Sequence, residues 1–189
     1  KAAVDDYYKL TRRKGVTLNT AKVALRNNST LIAAMLLRRG DADAMLCGTS
    51  GAFRSHLPFV VDTIGLQQGV ETVAAMNMLM LPDRTLFICD TYVNYDPSPE
   101  QITEMTVLAA EEVRRFGVVP RVALLSHANF GDDDSPTSIK MRDALALLEG
   151  LNPGFEVDGE MHGDAALSKA ILDQTYPDSK LSGDANLLI

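Results

Sequence analysis

The chain has 189 residues, enough to bury one or two cores, and its 46% apolar and 23% charged residues are ordinary for a globular protein. Its net charge is −7 and no Lys/Arg-rich patch is interleaved with aromatic residues, which argues against nucleic-acid binding. The absence of a signal peptide and of a long apolar run predicts neither export nor membrane spanning. Cys47 and Cys89 both lie in apolar runs and are expected to be buried, reduced thiols of a cytoplasmic protein.

The first third of the chain is predicted to be mainly helical. Residues 2–14 form a helix that Gly15 ends, residues 20–26 form a second, and Ser29 caps a third over residues 30–39. The short apolar run 44–48 follows an acidic turn and predicts a buried parallel strand. Residues 53–64 are predicted to be helical, with Pro58 near the start or at a kink.

Two strands are predicted next. In an extended chain, residues 71–81 would place apolar side chains on both faces. This predicts a strand that is covered on both faces, with its methionines filling the core. A Pro82-Asp83 turn leads to a strand over residues 85–89, so the two are expected to pair antiparallel.

Helices and strands then alternate. Ser98, Pro99 and Gln101 predict a capping box at the start of a long helix that Gly117 ends. The remaining predictions are strands over residues 120–126, 155–157 and 185–189, a helix from Ser135 to Leu148 stopped by Gly150, and a helix over residues 164–173 capped by Asp164. This order predicts a three-layer α/β/α architecture with a mainly parallel sheet.

The Gly/Gln-containing turn at residues 64–69 marks a domain boundary. Residues 1–64 are predicted to be part of a first α/β subdomain and residues 65–189 to be a second. The chain lacks an initiator Met and ends on the apolar run Leu187-Leu188-Ile189, which predicts a fragment of a longer polypeptide.

Polar residues cluster where predicted strands end. The Gly48-Thr49-Ser50-Gly51 loop could hold an anion on its backbone N–H groups, although a plain tight turn fits it equally well. Residues 90–94 and 126–131 follow two further strands, at the edge where α/β sheets bind ligands. Ser126 and His127 could form a nucleophile pair, but no third group to orient the imidazole is evident.

The acidic, glycine-rich stretch 158–164 has ligand chemistry suited to metals. It contains Asp158, Glu160, His162 and Asp164, but no pair has the spacing of a recognised zinc motif. No metal site is therefore predicted.

Several of these segments together resemble the phosphate acetyl/butyryl transferase family, in matching order and spacing: residues 44–52, 87–94, 122–126, 158–166 and 183–186. The resemblance implies two α/β subdomains with a cleft between them, similar to the isocitrate/isopropylmalate dehydrogenase-like fold. It also implies binding of a CoA ester in that cleft and assembly into homodimers or larger oligomers.

One branch of the family is the better match. Residues 90–94, 97–102 and 126–131 resemble the C-terminal domain of bacterial NADP-dependent malic enzymes. In that branch NADP and a divalent metal belong to a preceding malic domain, and the transferase-like domain senses acetyl-CoA. The resemblance therefore implies a regulatory acetyl-CoA-binding domain with no cofactor of its own.

The chain departs from active transferases at a phosphate-binding position. Their Arg-Pro pair is replaced by Leu57-Pro58, with Arg54 displaced, and Leu cannot replace a guanidinium fork. Two alternatives stay open, an active phosphate acetyltransferase and a pure assembly module. The candidate acyl-CoA-binding residues are Thr49, Ser50, Arg54, Ser126, Asn129, Asp158 and Asn186.

Overall fold

A computed structural model describes residues 2–189. The chain divides into two compact units, Lys1–Gly69 and Val70–Ile189. Across residues 2–189 no helix combines the length and the apolar character that crossing a membrane requires.

The first unit, described from residue 2 onward, contains four α-helices. They are α1 (Ala2–Thr11), followed by a 3₁₀ turn (Arg12–Lys14), α2 (Leu18–Asn27), α3 (Ser29–Arg38) and α4 (Phe53–Thr63). Their core is built on Tyr7, Ala21, Leu31 and Met35. The predicted helices are confirmed, but the cap of α3 is Asn28 rather than Ser29, because the Asn28 side chain accepts a hydrogen bond from the Leu31 N–H.

The predicted strand over residues 44–48 is wrong. This run has no regular structure, Leu46 is fully exposed (100%), and Cys47 is exposed rather than buried. A strand needs a neighbour to accept and donate its ladder hydrogen bonds, and residues 2–69 contain no strand. The apolar pattern alone therefore could not predict the conformation.

The second unit is a five-stranded sheet covered by helices. Its strands are β1 (Met76–Met80), β2 (Thr85–Cys89), β3 (Arg121–Leu125), β4 (Glu156–Met161) and β5 (Leu187–Leu188), in the order β1-β2-β5-β3-β4. β1 pairs antiparallel with β2, and all other pairs are parallel. The mainly parallel sheet and the local antiparallel pair are confirmed.

β1 differs from the prediction because it lies at the edge of the sheet. It is shorter than residues 71–81, and it is not covered on both faces. Met80 is 77% exposed and Met78 is also exposed, so these methionines do not fill the core. An apolar run on both alternations resembles a central strand, but position in the sheet decides its burial.

The helices of the second unit are α5 (Pro99–Arg115), α6 (Pro136–Leu151), α7 (Gly163–Leu167) and α8 (Lys169–Thr175). The predicted capping box of α5 is confirmed, with Ser98 accepting from the Gln101 N–H. The single helix predicted over residues 164–173 is two helices that meet at Ser168, and His162, not Asp164, occupies the cap position of the first. α6 runs past Gly150 and ends at Leu151, and the following cap residue, Asn152, is in the left-handed region.

Helices cover both faces of the sheet. One face packs against α5 and α6 through residues that include Met105, Val113 and Leu148. The opposite face packs against α7, α8 and the segment that follows, through Ala166, Leu172 and Leu181. The sheet and the helices on its two faces form three layers, as predicted.

β4 extends beyond the Val157 end predicted for it, as far as Met161, and it requires glycine at position 159. Gly159 pairs with Leu124 of β3, has φ +146°, and a Cβ there would come within 2.5 Å of the Leu124 carbonyl oxygen. Because that neighbour is backbone, a side chain cannot be accommodated without moving the strand. The acidic stretch is therefore part of the sheet, not a loop.

Replacement of Gly159 by Ala is expected to lower the free energy of unfolding by about 3 kcal/mol or more, from the clash and the strained φ. Gly150→Ala is the matched control. Gly150 lies in α6, and no neighbouring atom lies within 4 Å of the position that an alanine Cβ would take, so the substitution should raise stability by about 0.5–1 kcal/mol. Urea unfolding of both variants measures this, and equal effects would contradict the close approach of β3 and β4.

Candidate functional site

Thr49, Ser50 and Arg54 lie in the first unit, in and just after an exposed glycine-containing loop. His56 holds this loop in place, because one ring nitrogen (Nε2) lies 2.8 Å from the Ser50 carbonyl and the other (Nδ1) 2.7 Å from the Thr30 hydroxyl. The carbonyl can only accept, so Nε2 donates and Nδ1 accepts. The loop is thereby fixed to α3.

The loop leads directly into α4, whose cap residue Ala52 makes no side-chain capping bond. The exposed Arg54 lies in the first turn of this helix. Backbone N–H groups at such an end attract anions, and a guanidinium adds positive charge. Pro58 lies inside α4 after the half-buried Leu57, the position at which the resemblance implies an arginine.

A second polar group lies at the carboxyl end of β3, in the loop 126–135. The His127 Nε2 atom is 3.1 Å from an Asp133 carboxylate oxygen and 3.3 Å from the Ser135 hydroxyl. The Ser126 hydroxyl instead contacts the Ser138 hydroxyl at 3.3 Å. A triad needs the two ring nitrogens on different partners, with one on the nucleophile. The Ser126–His127 pair therefore does not have the geometry of a hydrolase.

Asp133 supplies the negative charge at the start of α6. Its carboxylate also accepts from the Ser135 N–H and the Ser138 hydroxyl. Interaction with Ser135, first through its hydroxyl and then its N–H, lowers the pKa of Asp133 from 3.8 to about 2, with His127 contributing less. This helix end is already neutralised by the chain itself.

Asn129 and His162 connect the ends of β3 and β4. The Asn129 side-chain oxygen accepts from the His162 N–H at 2.8 Å, and its amide nitrogen lies 3.1 Å from His162 Nδ1. The other ring nitrogen of His162 donates to the His127 carbonyl at 2.7 Å. Asn129 is thus engaged on both sides by structural bonds.

A third polar loop follows β2. The Asp90 carboxylate accepts from the Ala75 and Val93 N–H groups and from both the backbone and side chain of Asn94. Burial opposes ionisation of Asp90, but these hydrogen bonds outweigh it and hold its pKa below the ordinary value. Burial, and then the charge of Asp90, raises the pKa of Cys89 to about 12, so the thiol stays protonated.

Asp158 and Asn186 lie apart from these loops. Asp158 is 5% exposed and accepts from the Ser179 hydroxyl and the Lys180 N–H, both at 2.7 Å. Asn186 lies at the amino ends of β3 and β5, where its side chain accepts from the Arg121 N–H and donates to the Val119 carbonyl, both at 2.8 Å. Both side chains fix backbone segments.

The structure thus brings Ser126 and Asn129 into one loop but places Asp158 and Asn186 elsewhere in the second unit. Sequence reasoning missed Arg142, whose guanidinium contacts the buried Glu160 and the exposed Asp134. It also missed the role of Asp133 in orienting His127. Arg142 lies on an ordinary amphipathic helix, so no local pattern indicated it.

The chain matches the phosphate acetyl/butaryl transferase family model over residues 1–189. It is 51% identical over 184 residues to an NADP-dependent malic enzyme of Escherichia coli, covering 97% of this chain and 24% of that protein. It is 31% identical over 185 residues to a phosphate acetyltransferase of Synechocystis, covering 98% of this chain and 26% of that protein. The chain therefore spans about a quarter of the length of each of these two relatives.

Solved structures agree with the fold. A phosphotransacetylase from Streptococcus pyogenes superimposes with a TM-score of 0.86 at 27% identity, covering 97% of this chain and 56% of that one. Fold and strand-end loops define an α/β protein of the phosphotransacetylase type. The chain belongs to the phosphate acetyl/butaryl transferase family.

Loss of the Asp133 charge should change how stability depends on pH. Because the folded-state pKa is lowered, the carboxylate stabilises the fold above about pH 4 and loses this effect as the pH falls toward 2. Asp133→Asn should therefore show a shallower loss of stability over this range than the parent, in urea unfolding at several pH values. A carboxyl titration midpoint near 3.8 for Asp133 by NMR would contradict the arrangement.

Asn186→Asp tests the structural role of Asn186. The variant keeps the acceptor for Arg121 but replaces the donor to Val119 and introduces a buried charge, so we expect a loss of about 2–4 kcal/mol at pH 7. The loss should shrink at pH 4, where the carboxyl can take up a proton and donate. Asp184→Asn, at a neighbouring, more exposed position, serves as the comparison. If the Asn186→Asp variant were as stable as the parent, the side chain would not have this structural role and would be free to bind a ligand.

Proposed function

We propose that this chain is the phosphotransacetylase-like regulatory domain of an NADP-dependent malic enzyme. In this proposal it binds acetyl-CoA as an allosteric effector and takes part in oligomer contacts. The oxidative decarboxylation of malate to pyruvate, with its NADP and divalent metal, belongs to another part of the polypeptide.

The observation that carries the proposal is the difference between two groups of relatives. Identity to the Escherichia coli malic enzyme is 51%, whereas identity to the Synechocystis phosphate acetyltransferase is 31%, over nearly the same residues. The chain also makes up a similar quarter of each protein. The greater similarity to the malic enzyme supports a domain adapted to that context.

The contacts within the second unit support binding over acyl transfer. Direct attack of a CoA thiolate on an acyl phosphate requires polar groups that are free to hold the phosphate and stabilise the developing oxyanion. The side chains of Asn129, Asp158 and Asn186 are instead engaged by the chain itself. Leu57 at the position of the family's arginine supports the same conclusion.

The exposed groups at the start of α4 support an anionic ligand. Thr49, Ser50 and Arg54 lie around the start of α4, where the cap residue Ala52 makes no side-chain capping bond. The phosphates of acetyl-CoA are suited to backbone N–H groups and a guanidinium. This anion-binding role is the specific part of the proposal that mutation can test.

Calorimetry with acetyl-CoA on the malic enzyme polypeptide that contains this chain tests the proposal. Arg54→Gln should weaken binding about tenfold, the loss of one charge-assisted contact. Arg13→Gln is the matched control, because it removes the same charge from another exposed position. Arg13 is next to Lys14, and Lys14 pairs with Asp62 at the end of α4 opposite to Arg54. The affinity of the Arg13→Gln variant should be unchanged.

Two results would overturn the proposal. One is the absence of heat or signal change at millimolar acetyl-CoA. The other is formation of acetyl-CoA from acetyl phosphate and CoA well above a blank, which would favour the active-transferase alternative.

Acetyl-CoA binding should also change the rate of malate oxidation, because an allosteric effector must bind two states with different affinity.

A further inference from the structure

The second unit contains a cavity of about 340 Å³, and of the candidate acyl-CoA-binding residues only Asp158 lines it. It is open to solvent and lies between α6, β4 and the segment 176–180, and its lining includes Phe130, Arg142, Glu149, Glu160, Tyr176 and Asp178. Its volume is at the lower end of the range for small-molecule sites and has room for roughly ten heavy atoms.

A buried carboxylate in this lining has one oxygen without a partner. Glu160 is 0% exposed, and its Oε1 atom accepts from the Gly131 N–H at 2.8 Å and from Arg142 at 3.1 Å. Its Oε2 atom is buried and makes no hydrogen bond. An unsatisfied buried carboxylate oxygen is costly, so an occupant that places a donor there would recover binding free energy.

The charges around the cavity favour a cation. The lining contains four carboxylates and two basic groups. Several of these charges already have partners. Asp158 accepts hydrogen bonds from backbone and hydroxyl donors, Glu149 pairs with Lys180, and Arg142 pairs with Asp134 and Glu160. Asp178 is exposed and forms no ion pair among the described residues. Asp178 therefore has no partner in this part of the chain, and Glu160, although paired with Arg142 through Oε1, keeps one oxygen without a partner, so the lining carries an excess of negative charge that disfavours the phosphates of a CoA ester.

The apolar side of the cavity is aromatic. The Phe130 and Tyr176 rings stack with centroids 4.3 Å apart, and Leu145 and Ala146 also line the cavity. Phe130 has φ +46°, rare for a bulky residue, and its N–H is held by the Glu160 carbonyl at 2.7 Å. Glu160 thus positions Phe130 through its carbonyl, and its side chain carries the oxygen that has no partner.

We propose that this cavity binds a small organic ammonium ion, a primary amine on an apolar or aromatic body. The ammonium group donates to Glu160 Oε2, Asp178 adds attraction from the rim, and the body lies against Phe130 and Tyr176. Aromatic faces favour such cations. A divalent metal fits less well, because residues 2–189 hold no group of three or more ligating side chains and the Arg142 guanidinium faces the same carboxylate.

Titration of the full chain with phenethylamine, followed by NMR, tests the proposal, and phenethyl alcohol is the neutral ligand of matching shape. The amine should bind in the millimolar range or tighter and shift the signals of residues 130, 160 and 176, whereas the alcohol should not. Glu160→Gln should weaken amine binding more than about tenfold, as expected for loss of a charge-assisted bond. Asp178→Asn, at an exposed position, should weaken it about twofold to fivefold.

Asp143→Asn provides the control, since it removes the same charge from a position of α6 outside the cavity lining and should leave affinity unchanged. If Glu160→Gln does not fold, Asp178→Asn and the amine–alcohol pair still decide the question. Equal binding of amine and alcohol, no binding of either, or equal effects of the Asp178 and Asp143 substitutions would each overturn the proposal. None of these outcomes depends on acetyl-CoA binding.

Discussion

The second unit depends on the pairing of a two-residue strand, β5, at the centre of its sheet. β5 joins β2 to β3, and without it the sheet would separate into the pairs β1–β2 and β3–β4. Backbone bonds extend the pairing beyond Leu187 and Leu188, from Phe87 to Asn186 and from Leu125 to Ile189. Both leucines are buried, so the short strand contributes to the core as well as to the ladder.

The position of β5 determines where the polar loops can meet. It separates the end of β2 from the end of β3. The Asp90 loop therefore makes its contacts within itself and with the segment before β1, while the loop 126–135 shares contacts with His162 across the adjacent β3–β4 pair. Parallel strands deliver their loops to one edge, but only neighbouring strands bring side chains within hydrogen-bonding distance. Ser126 and Asn129 are therefore close to β4 residues and not to Asp90.

The parts of the fold that sequence predicted are those with local causes. Ser98 and Gln101 form a capping box within four residues, and the strands at 85–89 and 120–126 are short apolar runs bounded by turns. The failures involve partners distant in sequence. Residues 44–48 have a strand pattern but no pairing strand among residues 2–69, and β1 is exposed because it is at an edge. The contact between Arg142 and Glu160 joins two elements whose sequences carry no shared signal.

The same distinction affects how the family motifs should be interpreted. Asp158 and Asn186 belong to the segments that carry the resemblance, yet each holds buried backbone groups that would otherwise lack partners. A residue with such a role is required by the fold whether or not the protein catalyses a reaction. A match at these positions thus supports membership of the family but not turnover. Evidence about chemistry must come from positions without a structural duty, such as Arg54 and Leu57, and there the chain has an exposed guanidinium beside an apolar residue.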